Sequence, residues 1–168
     1  MRLMAKTIIE NTAKTIGIDV VQEISDTPTS ILLPLPRIDF ETLQSTLTKK
    51  NQKVAKTVLN DQIIIRKQTH ENKLDVRCVI RIAGENENAL EQLSEDFIKG
   101  IPQKIRQDAG DIIRIEATRA DTSGFKQRIV DVLSQRTATI YISFIGGFYS
   151  DSAESAIKEI HINGGMTQ

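Results

Sequence analysis

The most regular hydrophobic pattern in the chain lies between Leu74 and Ile82. There Leu74, Val76, Cys78, Ile80 and Ile82 alternate with Asp75, Arg77, Val79 and Arg81. A period of two puts the first set in a core and the second, mostly charged, set outward, as a half-buried β-strand requires. Gln62 to Lys67, carrying Ile63, Ile64 and Ile65, comes before it, and the polar His70-Glu71-Asn72-Lys73 between the two reads as a turn, so a β-hairpin is predicted. A second clear alternation sets Ala138, Ile140, Ile142 and Phe144 against Thr137, Thr139, Tyr141 and Ser143. Gly146-Gly147 then predicts a bulge or kink, and Ile157, Ile160 and Ile162 a last short strand before a frayed tail. Ile112 to Thr118 alternates in the same way, with Ile113 and Ile115 on one side.

Helical spacing appears twice. Ala5, Ile8, Ile9, Thr12, Ala13 and Ile16 recur at three- and four-residue intervals, with Lys6, Glu10 and Lys14 opposite, and Gly17 supplies a left-handed stop. Ala89, Leu90, Leu93, Phe97 and Ile101 share one face of a second helix, for which Asn88 and Glu91 form a capping pattern. Between the helices, Ile18 to Ile24 is β-compatible. Ile31 to Phe40 is apolar and extended, but Pro34 and Pro36 lack amide donors and assign it to a sheet edge. Glu41 to Asn60 is polar and lysine-rich and reads as a loop leading into a strand. Phe125 to Leu133 supports two readings, a helix through Phe125, Ile129, Val132 and Leu133 or a strand through Val130 and Val132, and the extended form is preferred. The order predicts an α+β fold: a single domain over 1–168, its mainly antiparallel mixed sheet packed by two main helices.

Composition narrows the function. Across 168 residues, 22 basic and 22 acidic side chains balance, so no overall field gathers nucleic acid or an anionic membrane, although a local patch remains open. Aromatics are 4% and Trp is missing, which leaves Ile, Val and Leu to fill the core. No run approaches the ~20 apolar residues needed to cross a bilayer, and the N-terminus does not read as a signal peptide.

No catalytic constellation stands out. Cys78 keeps step with Val76 and Ile80 and reads as a buried, inert thiol. His70 and His161 have no second ligand at metal spacing, and Asp19, Asp26, Asp39 and Glu41 match no calcium loop, so no metal and no cofactor is expected. Lys49, Lys50, Lys53 and Lys56 fall in one polar segment, either a solvated loop or a basic loop that meets phosphate, as in a pore carrying DNA. Phe144, Phe148 and Tyr149 form the densest aromatic group, either a core edge or an anchor for a neighbouring subunit.

Arg136-Thr137-Ala138-Thr139-Ile140-Tyr141-Ile142-Ser143-Phe144 continues through Ile145-Gly146-Gly147-Phe148-Tyr149-Ser150-Asp151 into Ala156 to Ile162. The helix Asn88 to Ile101 and the strand Ile112 to Thr118 come before it. This layout resembles the tail terminator and tail completion proteins of long-tailed bacteriophages and related contractile injection machines. The resemblance covers the C-terminal half and rests on no invariant motif; Glu41 to Asn60 and the proline-marked edge have no counterpart in it. It implies a virion structural subunit, assembled in the bacterial host, that forms a homo-oligomeric, usually hexameric ring. The ring would cap the tail tube and meet tube, sheath or neck proteins by binding alone. Phe144, Phe148, Tyr149, Ile38 and Phe40 are then candidate contacts between subunits, and Lys49, Lys50, Lys53 and Lys56 candidates for a loop in transient contact with DNA in a channel. Two alternatives stay open: a non-catalytic bacterial adaptor, and a small enzyme whose site is completed between subunits by His161, Asp151 or Glu154.

Overall fold

A computed structural model describes residues 1–24, 34–59, 62–84, 86–106, 111–120 and 135–155. It contains α1 (Arg2–Thr15), β1 (Val20–Glu23), β2 (Arg37–Leu59), β3 (Gln62–Ala83), α2 (Glu87–Gly100), β4 (Lys104–Arg106), β5 (Ile112–Arg119) and β6 (Gln135–Ser155). The strands form one six-stranded mixed sheet in the order β1-β2-β3-β6-β5-β4. β1 joins β2 in parallel, and the remaining neighbours run antiparallel.

The core lies between one face of this sheet and the two helices. Ala5, Ile8, Ile9 and Ala13 from α1, with Leu90 and Phe97 from α2, meet the inward residues Ile38, Phe40, Leu74, Val76, Cys78, Ile80, Ile140, Ile142 and Phe144. α1 has the apolar face its spacing predicts, and Gly17 follows it at φ +80°. α2 begins two residues earlier than its capping pattern suggests. The side chain of Asn86, not Asn88, accepts from the Ala89 amide at 3.1 Å, one of the amides a helix start leaves without a partner inside the helix.

Three strands are far longer than sequence periodicity indicates. β2, β3 and β6 run for 23, 22 and 21 residues, well beyond the usual five or six. The polar segment from Glu41 onward is therefore a strand and not a loop. His70-Glu71-Asn72-Lys73 is not a turn, because β3 passes straight through it, paired on both sides. Flanking strands satisfy its backbone groups whatever the side chains are, which lets a polar stretch stay extended. β3 instead pairs antiparallel with β2 along its length, as far as Leu59 opposite Gln62.

Gly146-Gly147 does not kink β6 either. The register shift falls opposite, where β3 slips between Gln68 and His70 while β6 continues unbroken. The three-residue β4 has no counterpart among the predicted strands. The predicted strand from Ile157, the segment 125–133 and Ile31 to Leu33 lie outside the described residues.

Candidate functional site

Past the rung Ser45–Leu74–Phe144, the three long strands leave the core together. They form an arm of Thr46–Leu59, Gln62–Lys73 and Ile145–Ser155, in which β2 alone spans roughly 45 Å at ~3.3 Å per residue. Leu47, Val58 and Leu59 on β2 are 60–66% exposed, and Phe148 on β6 is 53% exposed.

The arm has two open strand edges. β1 pairs with β2 only from Arg37 to Phe40, with one further hydrogen bond from the Ile24 amide to the Phe40 carbonyl. β5 pairs with β6 only from Ile140 to Ile145. Beyond those points, among the described residues, neither β2 nor β6 has a strand on its outer side. Each leaves alternate backbone N–H and C=O groups facing outward, the usual template for adding another strand.

The candidate contact residues divide accordingly. Ile38, Phe40 and Phe144 are 0–4% exposed core residues, which removes them as surface contacts. β1 flanks Ile38 and Phe40, so this segment is no sheet edge despite the prolines before it. Phe148 and Tyr149 are on the arm. Tyr149 lies under the Arg66 guanidinium, 5.0 Å from ring centroid to Cζ, and Arg66 also reaches Asp111 and Asp151. The adjacent glycines each make room on one face. A Cβ on Gly146 would lie 3.0 Å from the Met1 methyl, and one on Gly147 would lie 2.6 Å from the Tyr149 hydroxyl oxygen.

β6 alternates without interruption, so its partners give the faces of the arm. Phe148, Ser150 and Ser152 follow Phe144 on the helix-bearing side. Across β3 they pair with His70, Lys67 and Ile65, and across β2 with Lys49, Lys53 and Lys56. The candidate lysines are thus on a strand, and three of them share one face. The fourth, Lys50, sits in an irregular stretch of β2 and pairs with Glu71 at 3.5 Å. Lys53, Val54, Ala55, Lys56 and Ile65 line an open hollow of about 370 Å³.

The opposite face of the sheet body is charged but balanced. Asp39, 4% exposed, accepts from Arg81 at 2.5 Å and Arg37 at 3.0 Å, and Glu41 pairs with Arg77 at 2.5 Å. The Arg77 Nε is buried without a partner. Asp75 accepts from the Ser143 hydroxyl at 2.5 Å and meets Lys73 at 3.0 Å. Burial pushes the Asp75 carboxyl up, but Ser143 and Lys73 together hold it below the ordinary value. Burial also pushes the Cys78 thiol up to about 12, unsuited to nucleophilic work.

Among the described residues no three His, Cys, Asp or Glu side chains gather as metal ligands, and no helix is long and apolar enough to cross a membrane. Asp19 is exposed, Asp39 and Glu41 are tied to arginines, and Asp26 lies outside the described residues, as do His161 and the side chain of Glu154. Of that proposed interface trio only Asp151 is seen, exposed on the arm and 4.0 Å from Arg66 Nε. Comparison with models of protein families gives no match, and comparison with curated proteins gives none.

Proposed function

We propose that the chain is a structural subunit that assembles with copies of itself through its arm and works by binding alone. Its most specific form is a ring of the phage tail terminator kind, capping a tail tube and meeting neck or sheath proteins. The observation that carries this reading is the pair of open edges on β2 and β6. Both strands run antiparallel to β3, so they point the same way. A neighbour rotated about an axis along the strands would therefore set its β6 beside β2 in parallel. That contact is head-to-tail, one surface against a different one, and repeated rotation closes it into a ring. The specific form rests on the resemblance of the C-terminal half noted in sequence, and the α+β single-domain organisation belongs to the same reading.

Light scattering coupled to size exclusion, followed by electron microscopy, tests it. A closed ring of defined symmetry is expected. A chain that stayed monomeric at high concentration and did not cap purified tail tubes would remove the proposal.

A further inference from the structure

We infer that the helix-side face of the arm binds the phosphodiester backbone of nucleic acid without regard to sequence, through Lys49, Lys53, Lys56 and Lys67. The register brings these residues together on one face, with Lys53 directly across from Lys67. Like charges facing each other on adjacent strands oppose folding. Among the described residues, none of the four has an acidic side chain within ion-pair distance. Neighbouring cations differ: Lys50 meets Glu71, Lys73 meets Asp75, and Arg66 meets Asp111.

A concentration of unneutralised charge in a chain whose 22 basic and 22 acidic residues cancel is a local feature with a local partner. Repeated anions relieve it better than a single carboxylate. From Lys49 to Lys56 the strand spans roughly 20 Å at ~3.3 Å per residue. A duplex presents one phosphate per about 3.4 Å of axis on each strand, so that distance covers several phosphates, and each flexible ammonium group can take one. The hollow beside Ile65, with Lys53 and Lys56 in its wall, gives the sugar face an apolar floor between the charges. With no net charge behind it, attraction is confined to about one screening length, ~8 Å at physiological salt, so binding is weak and strongly salt-dependent. The site lies on a face of the sheet and the proposed assembly uses its edges, so the two readings fail separately.

Fluorescence anisotropy with labelled duplex and single-stranded DNA of arbitrary sequence tests this on the full chain, with the oligomeric state measured in the same buffer. Three to four contacts predict a slope of log affinity against log salt of about −3 for the duplex, or roughly a 60-fold loss between about 50 and 200 mM salt. The K49Q/K53Q/K56Q variant should lose at least about tenfold at low salt and flatten that slope. K6Q/K14Q/K104Q removes the same charge elsewhere and should bind as the parent does. Absence of binding to either DNA at low salt would overturn the inference. So would equal losses in the two variants, or equal binding of polyglutamate with the same salt slope, which would point to an acidic protein partner.

Discussion

Tyr149 folds back over Gly147, two residues before it on the same strand and the same face, so closely that a Cβ at 147 would meet the Tyr149 hydroxyl oxygen at 2.6 Å. In that position the ring lies under the Arg66 guanidinium at 5.0 Å. The glycine therefore works by making space, and β6 needs no kink to use it.

Gly147→Ala should move the Tyr149 ring out of this place and loosen its cation–π contact, at a cost of about 0.5–1 kcal/mol. In a Tyr149→Ala background the same change should be neutral or stabilising, since alanine suits a strand better than glycine. A double-mutant cycle by urea unfolding measures the coupling. Additive effects would show that the two residues do not constrain each other.

Several strands of this sheet were legible because one face is buried and the other wet. Leu74 to Ile82 and Ala138 to Phe144 alternate under that constraint, and the helices show their apolar faces for the same reason. The arm lacks it. With both faces largely open, Leu47, Val54 and Val58 need not keep a period of two, and shifts along β2 at 42–44, 49–52 and 53–55 change its phase again. The lysines could be found in sequence as a segment. Their common face could not, because it depends on those shifts and on pairing with residues nearly a hundred positions away.

Asp39 balances Arg37 and Arg81, which stand directly opposite each other on β2 and β3. Asp39→Ala would leave two guanidinium groups facing each other without their shared anion. Removing one partner of a buried pair costs ~3–5 kcal/mol, and the partial exposure of both arginines places this case near the lower end. Chemical denaturation should show it. A loss below about 1 kcal/mol, the range of a surface pair, would mean that solvent already neutralises the cluster.

Asp75 should give part of the acid sensitivity of folding. Its carboxyl is held below the ordinary value against its own burial, so its stabilising effect is complete above the unfolded value near 4 and fades as pH falls through the lower folded value. The stability difference between wild type and Asp75→Asn should therefore be full at neutral pH and narrow below about pH 4. A constant difference across that range would assign it to packing.

Asn86 and Asn88 compete for the same role in sequence, and the structure gives it to Asn86 through the Ala89 amide. Asn86→Ala should cost about 1 kcal/mol in thermal or urea unfolding, while Asn88→Ala should stay within about 0.5 kcal/mol. The reverse order would move the start of α2 to the position its capping pattern suggests.

The arm should be separable from the core in energy. Among the described residues, the large side chains that are fully buried, Phe97, Phe144, Ile140 and Ile142 among them, belong to the sheet body, the helices and, with Ile18, the link from α1 to β1. Among the described residues of the arm, Ile65, 4% exposed, is the one buried large side chain, and Gly146 is buried beside the body; the rest are open or half-open. Thr46 still faces Lys73 when residues 47–72 are replaced by Asn-Gly, a pair suited to a two-residue hairpin loop. The shortened chain should keep one cooperative thermal transition within about 10 °C of the parent, since the main packing removed is that of Ile65, roughly 1.5–3 kcal/mol. It should also lose self-assembly, because the open edge of β2 goes with the deleted segment. A shortened chain that unfolded without cooperativity would make the arm part of the folding unit. One that kept the parent's oligomeric state would place the subunit contact on the body instead.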